Sequence, residues 1–98
     1  MANLIYHPEA DHEYQVSVGW YRRRSPAAAR RFVAEVGRVA RVIAAQPDKY
    51  GWYEPPFREA ILTRYPFSII YRETDAGDVQ VVAVAHASRE PGYWKDRA

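Results

Sequence analysis

The spacing of the apolar residues changes once along the chain, and this change limits the possible folds more than any other feature. Before Pro47 the apolar residues recur every three or four positions, which predicts amphipathic helices. After Pro56 they alternate or run continuously, which predicts strands. A chain of 98 residues is long enough for one compact domain and too short for two. We therefore expect a single α+β domain over residues 1–98.

Two helices are predicted after a short strand at Asn3–Tyr6. Pro8 suits the first turn of the first helix, and Ser25-Pro26 is a strong start for the second, with Ser as the N-cap. Gln46-Pro47 ends the second helix. Because the connection between the helices is short, we expect an antiparallel hairpin. The apolar stripe of the first helix is Ala10, Tyr14, Val18 and Tyr21.

Three strands are predicted in the second half of the chain, at Phe57–Thr63, Phe67–Arg72 and Val79–Ala85. Residues 75–78 form the turn of a hairpin. The last strand is apolar on both faces, which predicts a central position in the sheet. The expected order is β-α-α-β-β-β, a helix hairpin packed on one face of a small, mostly antiparallel sheet.

The other face of the sheet is expected to be open and polar. Arg58, Arg64, Ser68 and Arg72 are its candidate residues. Arginines that flank an edge strand as protection against aggregation would explain the same pattern. The preceding segment, with Tyr50, Trp52 and Tyr53, is expected to be a loop that adds aromatic surface.

Composition excludes several classes of protein. The chain has no cysteine, which rules out disulfides, thiolate metal sites and cysteine nucleophiles. The three histidines lack the spacing of paired metal ligands, and no glycine-rich phosphate loop is present. We therefore expect neither a metal nor a cofactor. No apolar run approaches the roughly 20 residues of a membrane helix, and the first residues do not resemble a secretory signal. A cytoplasmic protein without a membrane partner is expected.

Arginine dominates the basic residues. Twelve of the fourteen are Arg, a bias that favours planar, bidentate contact with phosphate or carboxylate. A GC-rich genome would produce the same bias, so both explanations stay open. The run Arg22–Arg24 is interpreted as a solvated helix end, where cations interact favourably with the helix dipole.

The closing segment combines polar and aromatic residues that are unusual so near a chain end. Its two large aromatics and its Pro-Gly turn predict a tail that is docked on the sheet. We expect Arg89 and Trp94 to fix this tail and Arg97 to be freer and closer to a target. Arg89 can bind a carboxylate of the tail or an external anion. His86 is expected to form a hydrogen bond with the backbone at the end of its strand.

Together these segments resemble the RelE/ParE superfamily of toxins from bacterial type II toxin–antitoxin operons. The resemblance covers nearly the whole chain and implies the strand and helix order given above. It is carried by Arg58, Leu62, the run Arg64–Tyr71, Val82–His86, Arg89–Arg97, and the helix start Ser25–Phe32.

The resemblance implies two molecular targets. In ribonuclease-like RelE members, basic strand residues and a C-terminal Tyr cut messenger RNA on the ribosome; here that pattern would make Tyr93, Arg89 and His86 catalytic. However, Ala87 stands where those enzymes carry a catalytic Arg, and their strand lysines are absent. The ParE-like branch, which poisons DNA gyrase without cutting nucleic acid, matches the long hairpin and the Pro-Tyr-Trp tail more closely. A degenerate member that only binds its antitoxin is a third interpretation.

The expected partner is a cognate, ParD-like antitoxin that forms a hetero-oligomer with this chain. The second partner is DNA gyrase or, alternatively, the ribosome with its mRNA. An exposed aromatic groove with neighbouring arginines would suit an antitoxin segment, and its expected aromatic residues are Tyr50, Trp52, Tyr53 and Trp94. Candidate residues for contact with target or antitoxin are Arg58, Arg64, Arg72, Trp94 and Arg97.

Overall fold

The computed structural model describes residues 1–97, in which two helices pack on a five-stranded sheet. The predicted architecture is confirmed. The elements are β1 (Leu4–Tyr6), α1 (Pro8–Arg24), α2 (Pro26–Ala45), β2 (Trp52–Glu54), β3 (Phe57–Ile61), β4 (Phe67–Glu73), β5 (Val79–His86) and a 3-10 turn (Lys95–Arg97).

The helices begin where the capping residues predict. Ser25 alone joins the two helices, and its Oγ accepts a hydrogen bond from the Ala28 N–H at 2.9 Å. The side chain of His7 accepts the Glu9 N–H in the same way at the start of α1. Because one residue makes the connection, the two helices fold back on each other over the same face of the sheet.

The strands lie in the order β1-β5-β4-β3-β2. β1 is parallel to β5 and the other neighbours are antiparallel. β5 is therefore an inner strand with a neighbour on each side, as its apolar faces predict, and β4 is in the middle of the sheet. β2 was not predicted: it lies within the segment interpreted as a loop, where Trp52 pairs with Arg58 of β3. Three residues are too few for an alternating pattern to identify a strand.

Both faces of the sheet are covered. On the helix side the core includes Phe32, Ile69 and Tyr71, each with at most 1% of its surface exposed. On the opposite side Trp94 from the C-terminal segment packs on the sheet. The core there is formed by Phe57, Ile70, Val82, Ala83 and Trp94. The second face therefore has an apolar surface on which the tail packs. The expectation of an open polar face is wrong.

Two of the four residues assigned to that polar face lie elsewhere. Arg58 is opposite the buried Tyr71 in the register of β3 and β4, so it lies on the helix side. Its Nη1 donates to the carbonyl of Tyr50 at 2.7 Å and its guanidinium stacks on Trp52 at 3.7 Å. Arg64 lies in the β3–β4 turn with a left-handed backbone (φ 73°) beside α2.

The other two residues lie on the predicted side. Ser68 lines a small cavity next to Trp94. Arg72 alternates with Tyr71 along β4, and its Nε donates to Gln80 Oε1 at 2.9 Å. Neither helix within residues 1–97 is both long enough and apolar enough to cross a membrane.

Candidate functional site

Glu13 of α1 joins the C-terminal segment to the rest of the protein. Its carboxylate accepts two hydrogen bonds of 2.9 Å from the Arg97 guanidinium and one of 2.6 Å from the Tyr93 hydroxyl. It also accepts the backbone N–H of Val84 at 3.0 Å. One carboxylate thus connects a helix, the inner strand β5 and the tail.

These contacts lower the pKa of the Glu13 carboxyl and raise the pKa of the Tyr93 hydroxyl. Burial raises the pKa of Glu13, but hydrogen bonds from Arg97, Tyr93 and Val84 outweigh it and hold that pKa below its ordinary value. The pKa of the Tyr93 hydroxyl is strongly raised, first by burial and then by its hydrogen bond to the Glu13 carboxylate. The Tyr93 hydroxyl is therefore a protonated donor at neutral pH and a poor base.

The tail is docked as predicted, but two of its residues exchange their expected parts. Trp94 is 2% exposed and its ring lies 4.8 Å from Phe57, which confirms it as an anchor. Arg97, expected to be freer, has a side chain only 11% exposed and forms the bidentate pair with Glu13. Arg89, expected to fix the tail, is 52% exposed and lies 3.8 Å from Glu13. The sequence does not show this because Glu13 is 84 positions from Arg97.

An open groove of about 370 Å³ lies between α1 and the adjoining ends of β4 and β5. Val16 and Trp20, 54% and 45% exposed, form its outer wall. Its other apolar residues are Tyr21, Pro66, Phe67 and Val84, and its polar residues are Glu13, Ser17, His86 and Arg89. We call this feature the α1 groove. Exposed apolar side chains beside a few polar ones are typical of a surface that binds another protein.

Sequence reasoning missed Glu13, Val16 and Trp20. The signal was present: these residues recur at spacings of three and four on α1, off the core stripe, and therefore share one face of the helix. The Trp20 ring makes an edge-to-face contact with the Tyr21 ring and lies beneath the Arg24 guanidinium. These contacts keep the Trp20 ring at the surface.

The three residues of the ribonuclease pattern are close together. His86, Arg89 and Tyr93 line one cavity of about 140 Å³ above the sheet. The Arg89 guanidinium lies over the Tyr93 ring at 3.9 Å, and His86 Nδ1 accepts the Ser88 N–H at 3.0 Å. The Tyr93 hydroxyl, however, donates to Glu13. Residues 1–97 contain no cluster of His, Asp and Glu that could hold a metal ion.

Comparison with solved structures identifies the kind of fold. The chain is similar to a structure described as a chromosomal ParDE toxin–antitoxin system from P. aeruginosa, with a TM-score of 0.75 and 17% sequence identity. The match covers 90% of this chain and 98% of the other. The fold is therefore that of a ParE-like toxin.

The sequence itself then gives the family. The family model for the ParE toxin of the type II toxin–antitoxin system parDE matches residues 4–91. The chain belongs to the ParE toxin family. The comparison with curated proteins gave no match.

Proposed function

We propose that this protein inhibits DNA gyrase in the cytoplasm and is held inactive by an antitoxin that occupies the α1 groove. Family membership supports a toxin, and the properties of the tail favour gyrase over the ribosome as its target.

The state of Tyr93 is the observation that carries the choice of gyrase. Cutting RNA through its 2′-hydroxyl requires a base, an acid and cations near one phosphate. The raised pKa of Tyr93 and its hydrogen bond to Glu13 leave it poorly suited to accept a proton. Ala87 stands where the ribonucleases carry a catalytic Arg, and of the two guanidinium groups near the Tyr93 ring, those of Arg89 and Arg97, the second is paired with Glu13. A protein inhibitor needs none of these groups, only a complementary surface.

The α1 groove supports the antitoxin part of the proposal. A large exposed Trp beside apolar residues can accept the apolar side chains of a partner segment, and Trp is often a dominant residue in interfaces. Arg89, half exposed at the groove, can pair with an acidic residue of that segment. An antitoxin segment that orders on binding would fit this open shape.

Two assays on the same induced protein test the proposed target. In cells that lack the antitoxin we expect gyrase-linked loss of supercoiling and unchanged ends of translated messages. Purified protein should inhibit supercoiling by gyrase in vitro. Prompt cleavage of messages with supercoiling unaffected would replace gyrase with the RelE-like ribonuclease activity. Antitoxin binding with neither effect would identify a degenerate binding module.

A further inference from the structure

Positive charge is concentrated at the end of α1 and along α2. Residues 22–45 contain seven arginines and one acidic residue, Glu35, whereas the rest of the chain has seven basic and eleven acidic residues. All seven of these arginines are exposed. The small net charge of the whole protein, +2, therefore conceals a strongly basic segment, residues 22–45, in a chain whose other residues are acidic in sum.

Four arginines of α2 lie on one side of the helix. At 100° per residue, Arg30, Arg31, Arg38 and Arg41 fall within an arc of about 100°, and at 1.5 Å per residue they extend over about 16 Å. Ala34 and Gly37 lie within or next to this arc and are too small to keep a flat or convex partner away.

Arg64 extends this surface onto the sheet. The β3–β4 turn and α2 enclose a groove of about 510 Å³ that is lined by Arg31, Arg38 and Arg64. Glu35 is the one acidic residue there and pairs with Arg38 at 2.9 Å. Arg64 occupies the left-handed region, which costs a non-glycine residue roughly 1 kcal/mol and often marks a functional position.

The composition of this surface favours a polyanion over a protein. We define the arginine face as Arg30, Arg31, Arg38, Arg41 and Arg64. Within residues 1–97 its one ion pair is the pair of Arg38 with Glu35. The other residues of the groove are small or polar except Tyr65, whose ring packs edge-on against Tyr21 and Phe32 of the helices. Surfaces that contact phosphates are polar and strongly basic.

We propose that the arginine face binds the phosphate backbone of double-stranded DNA without reading its sequence. The choice of DNA over RNA rests on the proposed function, because an inhibitor of gyrase acts where gyrase holds duplex DNA. Contact with DNA would then add to the affinity of the toxin for the gyrase–DNA complex through a second, independent surface.

Salt-dependent binding of a labelled 25-base-pair duplex to the purified full chain tests this proposal. We expect a dissociation constant of about 1–100 μM near physiological salt, with no preference among sequences. The triple variant Arg30→Gln, Arg31→Gln, Arg41→Gln should bind about tenfold or more weakly. Its plot of log affinity against log salt should be shallower by about three units, roughly one for each arginine that no longer neutralises a phosphate.

A second triple variant provides the matched control. Lys49→Gln, Arg72→Gln, Lys95→Gln removes the same charge away from the arginine face and should retain the wild-type slope. Failure of the wild type to bind duplex DNA, or equal weakening in both variants, would overturn the inference. A face variant with reduced antitoxin affinity and unchanged DNA binding would assign the surface to a protein partner instead.

Supercoiling assays separate this inference from the proposed function. Gyrase inhibition without any DNA binding by the toxin would reject the arginine-face proposal alone. DNA binding by the arginine face without gyrase inhibition would reject the proposed function and leave the surface standing.

Discussion

Glu13 makes contacts of different kinds through one carboxylate. It neutralises the Arg97 guanidinium, accepts a hydrogen bond from the Tyr93 hydroxyl and accepts the backbone N–H of Val84 in strand β5. The side chains of Glu13 and Arg97 are 12% and 11% exposed, so removal of either leaves the other largely shielded from water. Removal of only one partner of such a pair is strongly destabilising, because it leaves the other charge shielded and uncompensated.

Glu13→Gln should therefore destabilise the protein more than an equivalent change elsewhere. We expect a decrease of about 2 kcal/mol in the free energy of unfolding, because Gln keeps an oxygen for Val84 but no charge for Arg97. Urea titration followed by circular dichroism measures it. Glu35→Gln, which breaks another bidentate pair with a helix arginine, is the control and should cost below about 1 kcal/mol because Arg38 is 54% exposed. Equal decreases would contradict the special position of Glu13.

The stability that Glu13 contributes should depend on pH. Its folded pKa is lowered, so its contribution is complete above the ordinary pKa of 4.5 and is lost as the pH falls through the lower folded value. The difference in unfolding free energy between wild type and Glu13→Gln should thus be constant from pH 8 to about pH 5 and shrink below pH 4.5. A difference that grows on acidification would have the wrong sign for this account.

Arg97 and Arg89 should respond differently to truncation. Arg97→Ala leaves Glu13 shielded without its guanidinium partner and should cost about 2 to 3 kcal/mol. Arg89→Ala removes a half-exposed side chain with a 3.8 Å contact and should cost below about 1 kcal/mol. Thermal melts of the two variants check the order, and a larger decrease in melting temperature for Arg89→Ala would restore the assignment made from sequence alone.

Among the secondary-structure elements, those determined by neighbouring residues were predicted better than those that depend on contacts with distant parts of the chain. Ser25-Pro26 and the stripe from Ala10 to Tyr21 are decided by neighbouring residues, and the structure has them where the sequence predicts. Strand β2 depends on its pairing with β3, and the position of Arg97 depends on its ion pair with Glu13. A short sequence pattern does not contain either partner. Arg58 is intermediate: it alternates in phase with the apolar Ala60, which indicated the core side of the sheet.

The C-terminal segment acts as a third layer that covers the sheet. Trp94 packs against Phe57 and Tyr53 with ring centroids at 4.8 and 5.0 Å. Trp94→Ala should destabilise the protein by about 3 to 4 kcal/mol through reduced burial and the remaining cavity. Trp52→Ala provides the comparison: this ring is 55% exposed and its removal should cost below about 1 kcal/mol. Equal melting temperatures for the two variants would mean that the tail does not stabilise the fold.

For the whole molecule, two surfaces of different chemistry follow from the same two helices. α1 presents an apolar groove with Trp20, whereas α2 presents arginines separated by small residues. A surface of the first kind suits a folded or folding protein segment, and one of the second kind suits a polyanion. Because most of their residues come from different elements, substitutions can weaken one surface and leave the other intact.

Trp20 offers the most direct test of the α1 groove. Trp20→Ala should lower the affinity for the proposed antitoxin by roughly 30-fold or more, since buried Trp anchors at interfaces typically contribute 2 kcal/mol or more. Trp52→Ala, an equally large and slightly more exposed side chain outside the groove, should leave that affinity within about threefold of wild type. Isothermal titration of each variant with separately purified antitoxin measures both affinities. If Trp52→Ala rather than Trp20→Ala abolished binding, the antitoxin would dock at the β2 edge, since β2 ends the sheet and Trp52 lies in it.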